Sequence, residues 1–585
     1  MQLNLRTTNY RLKTDKRMKL SNVKALALMA IIGFATAACG GLGKMAKYAE
    51  TIKYDVEPNP LIVRGDSVEV NINGNFPGKY FSKKAMVELT PTITYEAGST
   101  PLEMVAFQGE SAAGNATVIP YETGKNFTYS DKVAYKSEMK DSELMLNILG
   151  KQGSKEKAFE PFKLADGVIT TPFLVMNDDM SIIAKDKFTR TTSHEAYAVI
   201  NYLVNSPVVR SSELRDEDMK ELDSFLKEYG TNDDYEFKGA TILAYASPEG
   251  EISLNENLAD ERAESAMKAV SNMMKKHKVE FDADQFFNLV PKGEDWEGFK
   301  EKMQESDIAD KELILRILTM YSDLNKREQE IKNLAATYTE VAEKILPELR
   351  RSQITVNYDI VGRSDEEIIA LARSANADSL NVEEMLYAAT LTEDMNEKYA
   401  IYEKASQVYP NDYRAYNNMG VINMKKNDLS GAKQMFEAAK AKQDNPVSKN
   451  NLGVVKRMNG DRKGAMADYK AAAGAGDEVN YNMGVVDIMN GDYASAIQNM
   501  KGYNTFNKAL AQVLSGSNEA ALSTLNQSDA KDSAEGQYLK AIIGARMNDA
   551  SMVSNSLKAA YALDASLKDK AANDLEFRNF QNEIQ

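Results

Sequence analysis

The stretch NNMGVINMKKNDLSGAKQMFEAA, residues 417–439, decides the fold of the C-terminal part of the chain. Within it an Asn precedes a Gly by two residues, an Asp follows that Gly by eight, and an Ala follows it by twelve. A large side chain follows the Ala by four residues, and a further residue of the pattern follows that side chain by three. The whole pattern occurs three times. The members are Asn418, Asn451, Asn482; Gly420, Gly453, Gly484; Asp428, Asp461, Asp492; Ala432, Ala465, Ala496; Phe436, Tyr469, Met500; Ala439, Ala472, Tyr503. Small residues at this spacing predict pairs of closely crossing helices, with the Asp closing the turn between them.

These segments resemble tetratricopeptide repeats, because their glycine-to-glycine intervals of 33 and 31 residues lie close to the period of about 34 residues in that family. Other residues are typical of a preceding repeat and of degenerate repeats that follow: Tyr402, Ala405, Pro410, Ala521, Leu525, Leu557, Ala560. Such an array needs several units to bury a continuous core. We therefore expect an all-α solenoid of five or six repeats over residues 377–585.

The resemblance implies a concave groove lined by the first helix of each repeat. The predicted groove residues are Arg414, Asn417, Val421, Met424, Asn450, Val454, Arg457, Tyr481, Val485. Since only Arg414 and Arg457 among them are cationic, the groove fits an extended or helical peptide of a protein partner better than a terminal carboxylate. The alternative is that the groove packs on a neighbouring domain of the same chain.

Upstream of the repeats, strands and amphipathic helices alternate from about Glu195. The segments AVINYLVNS (198–206), LAYASPEG (243–250), NENLADERAESAMKAV (255–270) and LRRSQITVNY (349–358) resemble, in order, the OmpA-like peptidoglycan-binding domain. The resemblance implies an α/β fold over residues 189–361. Where that family usually has one helix, this chain has about 50 residues of helical pattern, so we expect a helical insertion over residues 297–346.

In the OmpA-like family an Asp binds the ammonium of diaminopimelate and an Arg binds its carboxylate. The resemblance places that Arg at Arg262, but the Asp position falls on Ser247, which cannot neutralise an ammonium. Glu249 lies two residues further on and could supply the charge. Two interpretations stay open: Arg262, Ser247 and Glu249 form a peptidoglycan site, or the domain keeps the fold and has lost the ligand.

The N-terminal third has the pattern of strands. Residues 68–73 alternate with period two, residues 86–94 are rich in β-formers, and glycines and prolines occur at turn-like intervals. We predict an antiparallel β-sandwich over residues 54–188.

The chain begins with a segment that resembles a bacterial lipoprotein signal peptide. Lys19 and Lys24 precede an apolar stretch over residues 25–34, and Thr36-Ala37-Ala38-Cys39 is similar to a lipobox. The alternative is a plain secretory signal. We expect residues 1–38 to be an N-terminal extension and signal, starting at Met1 or Met18, with acyl chains on Cys39 and a tether over residues 39–53. In some Gram-negative lineages, lipoproteins exported to the cell surface carry acidic residues just after the lipidated Cys. Residues 40–44 contain no acidic residue, so we expect the protein at the periplasmic face of the outer membrane.

The net charge and the counts of Cys and His exclude several classes of function. The net charge is −15, and it becomes −21 without residues 1–38, which carry seven basic residues and one acidic residue. This charge disfavours nucleic acid as a partner. With one Cys and two His, the chain lacks the residues for zinc sites or Cys-His catalysis, and it has no phosphate-loop or nucleophile-elbow motif. We predict a non-enzymatic scaffold without cofactor or metal, with a peptidoglycan anchor as the alternative.

Overall fold

A computed structural model describes residues 41–585. These residues form two compact units, one comprising the chain up to Met180 together with Lys456–Gln585, the other Ser181–Val455. The chain is multidomain, with sheets in its N-terminal half and helices in its C-terminal half.

Two sheets form a β-sandwich in the first unit. The smaller sheet has the order β1-β3-β2 with β8 also on β3, and the larger has the order β10-β9-β4-β6-β7 with β5 on β4 and β11 on β9. The pairings are antiparallel except for β6 with β7. The elements are α1 (Gly41–Lys47), β1 (Lys53–Glu57), β2 (Val63–Arg64), β3 (Ser67–Pro77), β4 (Met86–Tyr95), β5 (Gly98–Pro101), β6 (Val105–Gly109), β7 (Thr117–Ile119), β8 (Gly124–Ala134), β9 (Ser142–Gln152), β10 (Lys155–Ala158) and β11 (Phe162–Asp166).

Both ends of the sandwich differ from the sequence prediction. Residues 41–53, expected as a tether, begin with a helix whose Leu42 and Met45 are buried in the sandwich core with Phe76 and Phe81. The apolar side chains of this short stretch explain why it packs instead of remaining free. At the other end the strands stop at Asp166, so residues 175–188 are not part of the sandwich.

A four-stranded sheet covered by helices lies in the second unit. Its order is β12-β15-β13-β14; β13 and β14 are parallel and the other pairs antiparallel. The elements are β12 (Thr191–Asn201), α2 (Glu217–Tyr229), β13 (Tyr235–Ala246), α3 (Ile252–Lys276), α4 (Ala283–Phe286), β14 (Phe287–Glu294), α5 (Trp296–Glu305), α6 (Lys311–Met320), α7 (Leu324–Lys332), α8 (Ala335–Lys344), α9 (Leu346–Leu349) and β15 (Arg351–Val361). Helices α5–α9 occupy the place of the expected insertion and have their own apolar core.

The rest of the chain is helical. The elements are α10 (Asp365–Arg373), α11 (Val382–Ala388), α12 (Met395–Val408), α13 (Tyr413–Lys425), α14 (Leu429–Lys442), α15 (Pro446–Met458), α16 (Arg462–Ala471), α17 (Glu478–Asn490), α18 (Tyr493–Asn499), α19 (Phe506–Leu514), α20 (Asn518–Asn526), α21 (Ala534–Arg546), α22 (Ala550–Leu563) and α23 (Leu567–Ala572). Helices α13 and α14 pack as a hairpin in the second unit, and α17/α18, α19/α20 and α21/α22 do so in the first.

The repeat glycines permit close helix crossings. A Cβ on Gly420 would lie 2.4 Å from the Phe436 ring, and one on Gly484 would lie 2.8 Å from Met500. The repeat Asp residues act as N-caps: Asp428, Asp461 and Asp492 each accept a backbone N–H at the start of a second helix. The close crossing and the closed turn are both as the spacing predicts.

Candidate functional site

In the second unit, an extended segment lies against the first helices of the repeats. We call residues 181–188 the apolar segment. Asn418 of α13 accepts the N–H of Ala184 at 2.9 Å and donates to its C=O at 2.9 Å. Asn451 of α15 accepts the N–H of Ile182 at 2.8 Å and donates to its C=O at 2.8 Å. Each amide side chain thus satisfies both backbone polar groups of one residue, as a neighbouring strand would.

Side chains fix the apolar segment in position. Ile183 packs on the buried cluster that contains Val421. The carboxylate of Glu383 accepts the N–H of Lys187 and also pairs with Arg414 at 2.8 Å. Arg414 is therefore already neutralised within the chain, and Asp412 is its second carboxylate partner.

In the first unit, the preceding residues are bound in the same way. We call residues 176–180 the acidic segment. Asn482 of α17 accepts the N–H of Met180 at 2.7 Å and donates to its C=O at 2.9 Å. Asn507 of α19 accepts the N–H of Met176 at 2.8 Å and donates to its C=O at 3.0 Å. The backbone of the acidic segment is thus held at both ends.

Two adjacent carboxylates are buried between these backbone contacts. The carboxylate of Asp179 accepts hydrogen bonds from Nε of Arg457, at 2.9 Å, and from a second nitrogen of the same guanidinium. The side chain of Asp179 is only 1% exposed and that of Arg457 only 3%. Tyr469 donates to Asp179 at 3.3 Å. Arg457 also donates to the side-chain oxygen of Asn177 at 2.6 Å.

Asp178 accepts from neutral donors, the hydroxyl of Tyr481 at 2.5 Å and the amide of Asn507 at 2.6 Å. Burial raises the pKa of Asp178, and the charge of Asp179 raises it further. Burial also raises the pKa of Asp179, although Arg457 acts in the opposite direction. Arg457 therefore neutralises Asp179, whereas the partners of Asp178 are neutral donors.

The predicted groove residues lie around these two segments and are already engaged within the chain. Tyr481 and Val485 belong to the buried cluster that contacts Met176 and Met180. Val421, Asn417, Asn450 and Val454 are fully buried, and Met424 packs on the Val421 cluster. Asn417 donates to the C=O of Ile182 at 3.0 Å, and Asn450 donates to Asn451 at 3.1 Å.

The sequence does not predict that four asparagines bind the backbone of another segment. Three of them, Asn418, Asn451 and Asn482, occupy the same position of the repeat pattern. The structure explains why an Asn recurs there, because each is buried and its amide has hydrogen-bond partners. Asn507 lies 25 residues after Asn482, outside the regular spacing. The acidic segment has no periodicity that would place it on the helices.

Of the candidate peptidoglycan residues, Ser247 and Glu249 lie in the loop after β13 and Arg262 lies on α3. Arg262 is 1% exposed, and its guanidinium donates to the carbonyls of Leu203, Tyr245 and Ser206 at 3.1, 2.9 and 3.2 Å. Burial lowers the pKa of Arg262 to about 10. Because three carbonyls already occupy its donors, Arg262 does not present a free fork to a carboxylate ligand.

Ser247 and Glu249 are likewise paired. Ser247 donates to Glu249 at 2.7 Å, and Arg350 pairs with Glu249 at 2.8 Å. Glu328 of the inserted helix α7 accepts the N–H of Gly250 at 2.6 Å. The insertion thus holds the loop in which an ammonium-binding carboxylate would lie.

The lipidation candidate Cys39 lies outside the described residues. Over residues 41–585, no helix is sufficiently long and apolar to cross a membrane. The same residues contain no cluster of three or more His, Cys, Asp or Glu suited to a metal ion.

No protein-family model matches the chain, and no curated protein is significantly similar to it. Among solved structures, the chain is similar to the APC/C hetero-tetramer Cut9–Hcn1, with 12% identity, 57% of this chain and 77% of that chain covered, and a TM-score of 0.30. It is also similar to pilF of Pseudomonas aeruginosa, with 14% identity, 38% and 100% covered, and a TM-score of 0.29. A tetratricopeptide repeat protein from Parabacteroides merdae matches with 12% identity, 44% and 99% covered, and a TM-score of 0.27.

Likenesses at these scores say nothing about function. The tetratricopeptide character of the C-terminal half follows from its helix hairpins and from the close crossings at Gly420 and Gly484.

Proposed function

We propose that this protein is a non-enzymatic scaffold, anchored by lipid at the periplasmic face of the outer membrane, whose tetratricopeptide array recruits a partner protein of an envelope complex. The observation that carries the proposal is the way in which the array holds polypeptide. Asn482 and Asn507 bind the backbone N–H and C=O of Met180 and Met176, which are groups that every extended segment presents. An array with such sites is suited to holding protein segments.

The membrane part of the proposal is supported by sequence alone. The lipobox-like Thr36-Ala37-Ala38-Cys39 follows a basic and apolar leader. Without residues 1–38 the chain has a net charge of −21, so anionic lipid does not attract it electrostatically. Acyl chains on Cys39 would therefore have to supply the attachment to the membrane.

The peptidoglycan anchor is the weaker candidate. Each of the three guanidinium nitrogens of Arg262 donates to a backbone carbonyl, and Glu249 is paired with Arg350. A stem peptide would have to break both sets of contacts before it could bind, and no observation favours that exchange. The helical insertion that holds the loop further supports a domain kept for its fold.

Affinity capture from crosslinked membranes tests the proposal. A tagged wild-type chain should recover a reproducible set of envelope proteins, and the Cys39→Ala chain should lose most of them because it leaves the membrane. An untagged strain supplies the background. A wild-type chain that recovers nothing above this background would overturn the scaffold role, and membrane retention of Cys39→Ala would overturn the lipid anchor.

A further inference from the structure

We infer that the site formed by Arg457, Tyr469, Tyr481, Asn482 and Asn507 is a receptor for an extended acidic segment of a partner protein, and that residues 176–180 occupy it in cis. This inference rests on the proposed function, because it names the class of partner segment that the array recruits. The site lies wholly within the first unit.

The backbone contacts of the site set the conformation of its ligand. Asn507 and Asn482 each bind both polar backbone groups of one residue, Met176 and Met180, which are four positions apart. Only an extended chain exposes the N–H and C=O of one residue to the same side chain, because a helix uses these groups internally. The ligand must therefore be extended over at least five residues.

The side-chain contacts of the site set the charge of its ligand. The forked guanidinium of Arg457 binds the carboxylate of Asp179, and the Tyr481 hydroxyl and the Asn507 amide donate to Asp178. A lysine at the position of Asp179 would face the cation Arg457, and an apolar residue there would leave Arg457 unpaired. The position of Asp179 thus selects an acidic residue, and the position of Asp178 selects a hydrogen-bond acceptor.

The cis occupant has a feature that favours exchange. Arg457 pairs with Asp179, whereas Asp178 accepts only from the neutral donors Tyr481 and Asn507, so the Asp178 carboxylate has no cationic partner among these contacts. Residues 175–190 also contain no helix or strand of their own, so release of the acidic segment breaks no regular element. A partner segment that makes the same backbone contacts and presents a carboxylate to Arg457 can replace it.

Peptide binding to the full chain tests the inference. The probe is fluorescein-labelled LVMNDDMS, the sequence of residues 174–181, and the control peptide is LVMNKKMS. In the chain carrying Asp178→Asn and Asp179→Asn, the cis segment loses its charges while the receptor side chains are unchanged. We expect this chain to bind LVMNDDMS at least tenfold more tightly than the wild type does, and at least tenfold more tightly than it binds LVMNKKMS.

Two further variants control the result. Adding Arg457→Lys should remove the gain, because lysine keeps the charge but cannot form the forked contact. Lys185→Gln, an exposed change near the acidic segment, should leave binding at the wild-type value. A folded double-Asn chain that does not prefer LVMNDDMS would overturn the inference, and so would a swapped dimer of the wild type, which would make a second copy the occupant.

A second measurement applies if the double-Asn chain does not fold. The wild type is incubated with LVMNDDMS that carries a photo-reactive methionine at the position of Met176. Crosslinks should form on α19 and be absent with LVMNKKMS, whereas their absence after prolonged incubation would overturn the inference. The two experiments distinguish the two proposals. If the peptide binds but affinity capture from membranes recovers no partner, the scaffold role is wrong and the acidic-segment receptor stands. If capture recovers partners but the peptide does not bind, the scaffold role stands and the acidic-segment receptor is wrong.

Discussion

Removal of one partner of the buried Arg457–Asp179 pair should weaken the attachment of the acidic segment severely. The two side chains are 3% and 1% exposed, so neither Arg457→Met nor Asp179→Leu lets water replace the missing partner. An uncompensated buried charge of this kind costs about 3–5 kcal/mol. The double variant removes both charges and leaves the buried Tyr469 hydroxyl without its partner, while the exposed Asn177 can bind water; this costs about 1–3 kcal/mol. The coupling energy of the pair should therefore be at least about 3 kcal/mol.

Hydrogen exchange is the suitable assay, because a chain of several domains does not unfold in one step. The amides of Met176 and Met180 report opening of the acidic segment directly, since their N–H groups bind Asn507 and Asn482. A loss of about 3 kcal/mol should speed their exchange more than a hundredfold.

The matched control for this prediction is the exposed pair of Lys433 and Glu437, with side chains 57% and 58% exposed. Glu437→Gln there should change stability by no more than about 0.5 kcal/mol. Single variants of Arg457 or Asp179 that cost less than about 1 kcal/mol, or costs that simply add in the double variant, would refute the reasoning.

Further predictions concern other parts of the chain. Burial raises the pKa of Asp178, so closure of the acidic segment takes up protons. The stability of the closed segment is complete below the ordinary pKa of an Asp and is lost as pH rises through the raised pKa, so exchange at Met180, corrected for its intrinsic rate, should accelerate as pH rises from about 4. A rate that slows over this range would contradict the sign. Gly420→Ala should cost about 1–3 kcal/mol and speed hydrogen exchange in α13 and α14, because the new Cβ would lie 2.4 Å from a buried ring; unchanged exchange there would count against the close crossing. Cys39→Ala should move the protein to the soluble fraction without changing the exchange of its core amides. Isolated sacculi should not retain the wild type, because all three guanidinium nitrogens of Arg262 already donate to backbone carbonyls; retention that Arg262→Ala abolishes would restore the peptidoglycan site.

The sequence predicts those parts of the fold that depend on local periodicity. The spacing of Gly420 and Phe436 identifies the helix hairpins, because the close crossing requires a small residue at a fixed distance from a large one. Alternation over residues 68–73 predicts the strand that the structure has as β3, and the helical pattern after Trp296 predicts the inserted helices.

The occupants of the array could not be predicted in this way. Residues 176–184 bind asparagines that lie 234 to 331 residues away along the chain, and a short segment without periodicity carries no signal of such a contact. The same holds for Arg262: its carbonyl acceptors Leu203 and Ser206 follow β12 and Tyr245 lies in β13, and a linear motif does not bring these residues together. A motif identifies the residue type, whereas burial and partners decide whether the residue is free to bind.

The most direct test of the account compares partner capture by the wild type and by Arg457→Lys from crosslinked membranes, at matched expression and membrane content. We predict that the wild type recovers a partner with an extended acidic segment and that Arg457→Lys reduces its recovery at least tenfold. Equal recovery by the two chains would contradict the account, because recruitment would then take place on a surface other than the acidic-segment site.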